Sequence, residues 1–243
     1  MPATIPHNDL RKRLERTMGP EMLTPESAAF TLETIRMLSE GLPVQPSKVF
    51  KCLGWPATDE TNTVDYLKNC GQIVFNDEGA IVEAAGLSLR PTRHTFRVED
   101  TTLFTWCGID TLFLPALIGK PADIQSVCPT TGRQIVLRVD PEHGIVSLTP
   151  QTAVVSVYVP DDGCETNSCS PNTGLAHGAK ELFGRSGFFC SQVSFYSSSE
   201  AARALESRDD LEILTVTDAY DLARCVWADR LLDQAGSIGC KTI

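Results

Sequence analysis

Apolar positions first recur with a helical period. Ala28, Phe30, Ile35 and Leu38 mark one face of a stretch opening at Pro25 and broken by Gly41-Leu42-Pro43. Pro46 to Leu53 predicts a second helix with Val49, Phe50 and Leu53 inward, and Thr58 to Leu67 a third with Val64 and Leu67 inward. The period then shortens. Ile73-Val74-Phe75, a turn at Asn76-Asp77-Glu78-Gly79, and Ala80-Ile81-Val82 predict a β-hairpin. Three helices and a hairpin outline a winged helix, preceded by about 22 polar residues that form an arm or a short helix.

Beyond about Pro91 the pattern alternates as in strands. His94, Phe96 and Val98 form one strand, Glu99-Asp100 turns the chain, and Leu103 to Trp106 returns. Gly108 to about Ile118 reads as a short helix that Pro115 kinks or ends. Ile124 to Cys128 and Gln134 to Val139 flank the turn Pro129-Thr130-Thr131-Gly132. Ala153 to Val159 is a β-branched strand, and Cys190 to Tyr196 resumes one after a long loop. Ser199 to about Leu205 is a helix, Leu211 to Val216 a strand, and Thr217 is the expected cap of a final helix. The expected class is α+β: an N-terminal winged-helix-like helical module packed on a mostly antiparallel or mixed β-sheet core with flanking helices. The expected divisions are an arm at 1–24, the module at 25–90 and the core at 91–243, with a loop at 161–187 longer than structureless loops usually run.

Charge narrows the partners. The 243 residues carry a formal net charge of −10, and residues 1–90 hold nine Lys/Arg against twelve Asp/Glu. The third predicted helix carries Asp59, Glu60 and Asp65 against Lys68, the reverse of a phosphate-facing helix, so nucleic acid is not an expected partner. Nor is a membrane, since no apolar run approaches the roughly 20 residues that span a bilayer. Arg11, Lys12, Arg13 and Arg16 have no apolar stretch behind them, so a secretory signal is not expected. Cys240-Lys241-Thr242-Ile243 lacks the aliphatic pair of a prenylation signal. A cytoplasmic location is expected, and there thiols stay reduced.

Nine cysteines therefore read as fillers, metal ligands or nucleophiles, and no C-x-x-C pair occurs. Cys52, Cys70 and Cys225 are expected to be inert core residues. Cys107 differs. It sits three residues before Asp110 in the oily run Phe104 to Leu117, where a lone carboxylate is costly. Helical i and i+3 positions lie about 5–6 Å apart, so Asp110 is placed to exchange a proton with Cys107. A thiol entering a helix N-terminus also gains thiolate character. The plain alternative is a buried cysteine with Asp110 capping the helix. Cys190 lies where a strand emerges from the long loop, a place suited to meeting a ligand, although in isolation inert burial is the favoured account of it.

The run Phe104-Thr105-Trp106-Cys107-Gly108-Ile109-Asp110-Thr111-Leu112, continued by Pro115-Ala116-Leu117-Ile118-Gly119, strongly resembles the bacterial organomercurial (alkylmercury) lyases. Cys128-Pro129-Thr130-Thr131-Gly132, Phe189-Cys190 with Val193 and Phe195-Tyr196, Gly41-Leu42-Pro43-Val44, Leu53-Gly54-Trp55-Pro56 and Gly86-Leu87-Ser88-Leu89 extend the resemblance over roughly residues 25 to 232. It implies protonolytic cleavage of a carbon–mercury bond to a hydrocarbon and Hg(II). Cys107 and Cys190 would be the two sulfurs holding mercury, and Asp110 the proton carrier. The resemblance implies no organic cofactor or resident metal, and a structural Cys128. Expected partners are an organomercury substrate, low-molecular-weight thiols and a mercuric reductase that accepts the product. A soft metal ion suits thiolate ligands.

The chain departs from the pattern at the 161–187 loop, which adds Cys164 and Cys169 near His177, and at Ser191, where some relatives carry another cysteine. The loop is either a surface insertion or a thiol relay for Hg(II), and Cys240 offers a weaker tail relay. Two rival readings stay open: a zinc- or copper-binding module using Cys128, Cys164, Cys169 and His177, and a catalytically inactive winged-helix regulator.

Overall fold

The computed structural model describes residues 8–17, 24–69, 71–158, 193–205 and 211–236. Helix α1 (Asn8–Thr17) precedes α2 (Pro25–Leu38), α3 (Pro46–Leu53) and α4 (Glu60–Asn69). Two proline starts explain the boundaries. Pro25 and Pro46 each stand in the first helical turn, where the missing N–H costs nothing, and Thr24 caps α2 by accepting the Ser27 N–H at 3.2 Å. Gly54, in left-handed conformation, ends α3.

The strands are β1 (Ile73–Phe75), β2 (Ile81–Ala84), β3 (Leu87–Ser88), β4 (His94–Val98), β5 (Thr101–Thr105), β6 (Ala122–Val127), β7 (Gln134–Asp140) and β8 (Gly144–Thr149). They form one sheet in the order β1-β2-β3-β5-β4-β6-β7-β8, with every pairing antiparallel. The predicted hairpin thus continues through β3 into the main sheet. A second sheet sets β9 (Val154–Tyr158) between β10 (Ser194–Tyr196) and β11 (Leu211–Thr215), again antiparallel. The α+β expectation holds.

Helix α5 (Asp110–Ile118) follows β5, and α6 (Ser199–Leu205) follows β10. The chain then runs through α7 (Val216–Ala223), a π turn (Arg224–Ala228) and α8 (Asp229–Gly236), with α8 packed along α2. In α5 every residue but Ala116 is buried, which is why its sequence is apolar all round. Pro115 is accommodated inside it, and Gly119 ends it in left-handed conformation. The π turn carries Trp227 onto Phe113 of α5, ring centroids 5.7 Å apart and stacked. No helix among the described residues is long and apolar enough to cross a membrane.

Three expectations need correction. Strand β8 carries no alternating signal, because it lies at the sheet edge and only one of its six residues is buried. The final helix is capped by Thr215, which accepts the Asp218 N–H at 3.1 Å, while Thr217 lies inside the first turn. Cys52 is exposed and donates to Glu33 Oε1 at 3.2 Å, whereas the inward face of α3 carries Val49 and Phe50. Cys225 is half-buried, and Cys70 lies outside the described residues.

Candidate active site

The bend between β5 and α5 holds the Cys107–Asp110 pair. The helix begins at Asp110, so Cys107 precedes it in a turn and the two do not share a helical face. The turn is fixed from both sides. Thr105 Oγ1 donates to the Cys107 carbonyl at 2.9 Å, and Thr111 Oγ1 to the Gly108 carbonyl at 2.7 Å. Asp110 reaches back to accept the Cys107 N–H on Oδ2 at 2.8 Å, as a capping residue does. The capping alternative and the proton-exchange reading therefore describe the same carboxyl.

Cys107 has no solvent exposure and Asp110 has 6%, with Ile109, Leu112, Phe113 and Leu114 buried around them. Burial lifts the Asp110 carboxyl from an ordinary 3.8 to about 7, against hydrogen bonds from the Cys107 thiol and N–H that pull it down. The acid therefore lies against the Cys107 thiol with a pKa near neutrality.

Three neighbours complete the wall. Trp106 donates its indole N–H to Glu83 Oε2, a carboxylate buried on β2 that also pairs with Arg90 at 3.4 Å. Gly86, in the β2–β3 turn, lies against the Asp110 carboxyl, and its carbonyl accepts the Trp106 N–H at 2.9 Å. Gly108 lies under the ring of Phe195 on β10, where an added Cβ would meet Cδ2 at 3.0 Å. The second sheet is thereby joined to the thiol turn. Phe195 also meets His94 edge-on at 6.1 Å. His94 is buried, with Nδ1 3.0 Å from Ser126 Oγ, and burial and then the Arg93 charge lower it from 6.5 to about 3, so it stays neutral.

The chain is similar to known proteins over most of its length. The family model described as MerB, alkylmercury lyase, matches residues 87–180. The chain is 35% identical to the alkylmercury lyase of Bacillus cereus over 191 residues, covering 78% of this chain and 77% of that one. It is 31% identical to the alkylmercury lyase of Pseudomonas putida over 236 residues, 97% and 98% of the two chains. The chain belongs to the alkylmercury lyase family. A solved structure of the mercury-bound form of MerB2 superposes with a TM-score of 0.67 at 25% identity, over 91% of this chain and 98% of that one. The enzymes of this family are carbon–mercury lyases.

Of the three site residues expected for a lyase, Cys107 and Asp110 are brought together, and Cys190 lies outside the described residues. So do Cys164, Cys169, His177, Ser191 and Cys240, and with them both relay readings. Cys128 stands apart, unexposed in the Pro129-Gly132 turn, with Ser197 Oγ donating to its sulfur at 3.6 Å. Burial disfavours its thiolate, but hydrogen bonds from Thr131 and Ser197 outweigh that and draw the thiol from 9.0 to about 6. Among the described residues no group of three or more His, Cys, Asp or Glu is arranged to hold a metal ion. Sequence reasoning assigned no role to Gly86, Glu83 or Arg90. The Ala-Gly dipeptide at 85–86 is a turn signal, but nothing local to it points at residue 110.

Proposed function

We propose that the chain cleaves organomercurials by protonolysis, with Cys107 and Cys190 as the mercury-binding sulfurs and Asp110 as the proton carrier. The observation that carries this reading is the buried Asp110 carboxyl, in hydrogen-bond contact with the Cys107 thiol and protonatable near pH 7. Cys107 displaces a carrier thiol from R–Hg⁺, forming one Hg–S bond. The Cys190 thiol gives its proton to Asp110 and its sulfur to mercury, which raises electron density on the metal and weakens the carbon–mercury bond. Asp110 then protonates the carbon as it takes the electron pair of that bond. The products are R–H and Hg(II) held by two thiolates, with Asp110 ionised. Proton delivery of this kind contributes about 10²–10⁴-fold to rate.

No oxidation state needs an outside electron source in this sequence, so neither an organic cofactor nor a resident metal is required. Support for Cys190 comes from the strand that follows it. Val193 and Phe195 are buried, and Phe195 packs on Gly108, next to Cys107. Bis-thiolate mercury exchanges readily with incoming thiols, so cytoplasmic low-molecular-weight thiols or a mercuric reductase are the fitting acceptors.

The test is incubation with phenylmercury and excess small thiol, following benzene in the headspace. Wild type should turn over. Asp110→Asn and Cys190→Ser should each capture phenylmercury yet release benzene about 10²-fold more slowly or less. A Cys190→Ser variant as fast as wild type would remove the second sulfur from the mechanism.

A further inference from the structure

The β2–β3 hairpin closes in two residues, Ala85 and Gly86, between the facing pair Ala84 and Leu87. Both take positive φ, 44° at Ala85 and 97° at Gly86, as a tight hairpin turn requires. Glycine accepts this without penalty and alanine does not, so the turn is held from outside. The Ala85 N–H donates to the Gln72 carbonyl at 2.9 Å, and the Gly86 carbonyl accepts from Trp106 N–H at 2.9 Å.

So held, the turn presses a bare Cα on the Asp110 carboxyl. A Cβ at Gly86 would lie 2.6 Å from Asp110 Cγ, 2.7 Å from Oδ1 and 3.0 Å from Cβ. Gly54, Gly79, Gly119 and Gly132 also have positive φ, but each opens onto free space. At those four positions the backbone alone asks for glycine. At Gly86 the neighbour asks as well. The carboxyl is gripped between this wall on the Oδ1 side and the Cys107 N–H on Oδ2.

We propose that Gly86 is a positioning residue for carbon–mercury protonolysis, its bare Cα holding the Asp110 carboxyl in the one orientation that faces Cys107. The hairpin of the helical N-terminal part is thereby a working wall of the site. This rests on Asp110 being the proton carrier. A methyl at position 86 forces the carboxyl off its place by steric overlap, while the Cys107 sulfur itself stays in place to capture mercury.

The experiment compares wild type with Gly86→Ala, using phenylmercury and excess small thiol. Gly86→Ala should capture phenylmercury at wild-type stoichiometry with KM changed less than about twofold, while kcat for benzene falls by about 10²-fold. The rate ratio between H2O and D2O should rise, as proton delivery becomes limiting. Wild-type kcat in a folded Gly86→Ala protein overturns the proposal and leaves the lyase reading standing. No benzene from wild type overturns the lyase reading itself. Should Gly86→Ala fail to fold, the same substitution in an Asp110→Ala background decides the matter, since alanine lacks the Cγ and Oδ1 that the methyl meets while the backbone strain at position 86 is unchanged. A larger folded, soluble fraction in the double variant than in Gly86→Ala supports the proposal, and a fraction no larger overturns it.

Discussion

Replacing Asp110 by asparagine should make the protein more stable in alkali while stopping the chemistry. In the folded chain the carboxyl protonates at about 7, whereas its ordinary value is 3.8. The native state therefore binds this proton more tightly than the unfolded chain. The associated stability is complete below about pH 3.8 and is lost as pH rises through about 7. At about 1.4 kcal/mol per pH unit of separation, the ionised form costs the fold about 4 kcal/mol above pH 8. Between pH 5 and pH 8 the loss is about 2–3 kcal/mol. Asparagine has no proton to lose. Urea unfolding of wild type and Asp110→Asn, each at pH 5 and pH 8, isolates the effect, because every other titrating group cancels in the difference. The stability gap should move toward the variant by about 2–3 kcal/mol across that interval, about 5–10 °C in Tm for a chain of this size. Parallel curves for the two proteins would refute the reasoning, since Asp110 would then be ionised in the folded state at neutral pH.

The acid side should be governed by His94, whose protonation is held down to about 3 against 6.5 unfolded, so stability present above pH 6.5 is lost as pH falls toward 3. His94→Gln should flatten that limb, removing about 3 kcal/mol of the loss between pH 6.5 and pH 4, read by the same urea series. Cys128→Ala should lower stability by about 1–3 kcal/mol while benzene release per folded molecule stays at the wild-type rate. Lost catalysis at unchanged Tm would contradict the separation of Cys128 from the chemistry. Glu83→Ala should cost about 1–3 kcal/mol by stranding the Trp106 indole N–H, with a change in tryptophan emission as the independent sign.

Much of the fold could be read from the chain because local signals agreed with one another. Helices α2 and α3 each combine a proline start with an apolar stripe, and α3 adds a glycine stop. Where the signals failed, the causes are specific. Strand β8 buries only its first residue, so the strand follows no burial period. Cys52 reads as a filler from its neighbours Val49, Phe50 and Leu53, yet on α3 it is exposed while Val49 and Phe50 are buried. The Cys107–Asp110 pair was legible because a carboxylate in an apolar run is anomalous and three residues is a contact distance in a tight turn. Gly86 was not, because its partner at 110 is brought in by strand pairing, which leaves no mark in either local sequence. Glu83 reads as an ordinary strand carboxylate until Trp106 and Arg90 are seen around it.

The outward-facing sulfur of Cys52 matters at the bench. Any mercurial added without competing thiol will find it as a soft, accessible ligand on the protein surface. Bound-metal counts on this enzyme will then exceed what turnover uses, and a Cys52→Ser background is the cleaner one in which to tally the sulfurs that do the work.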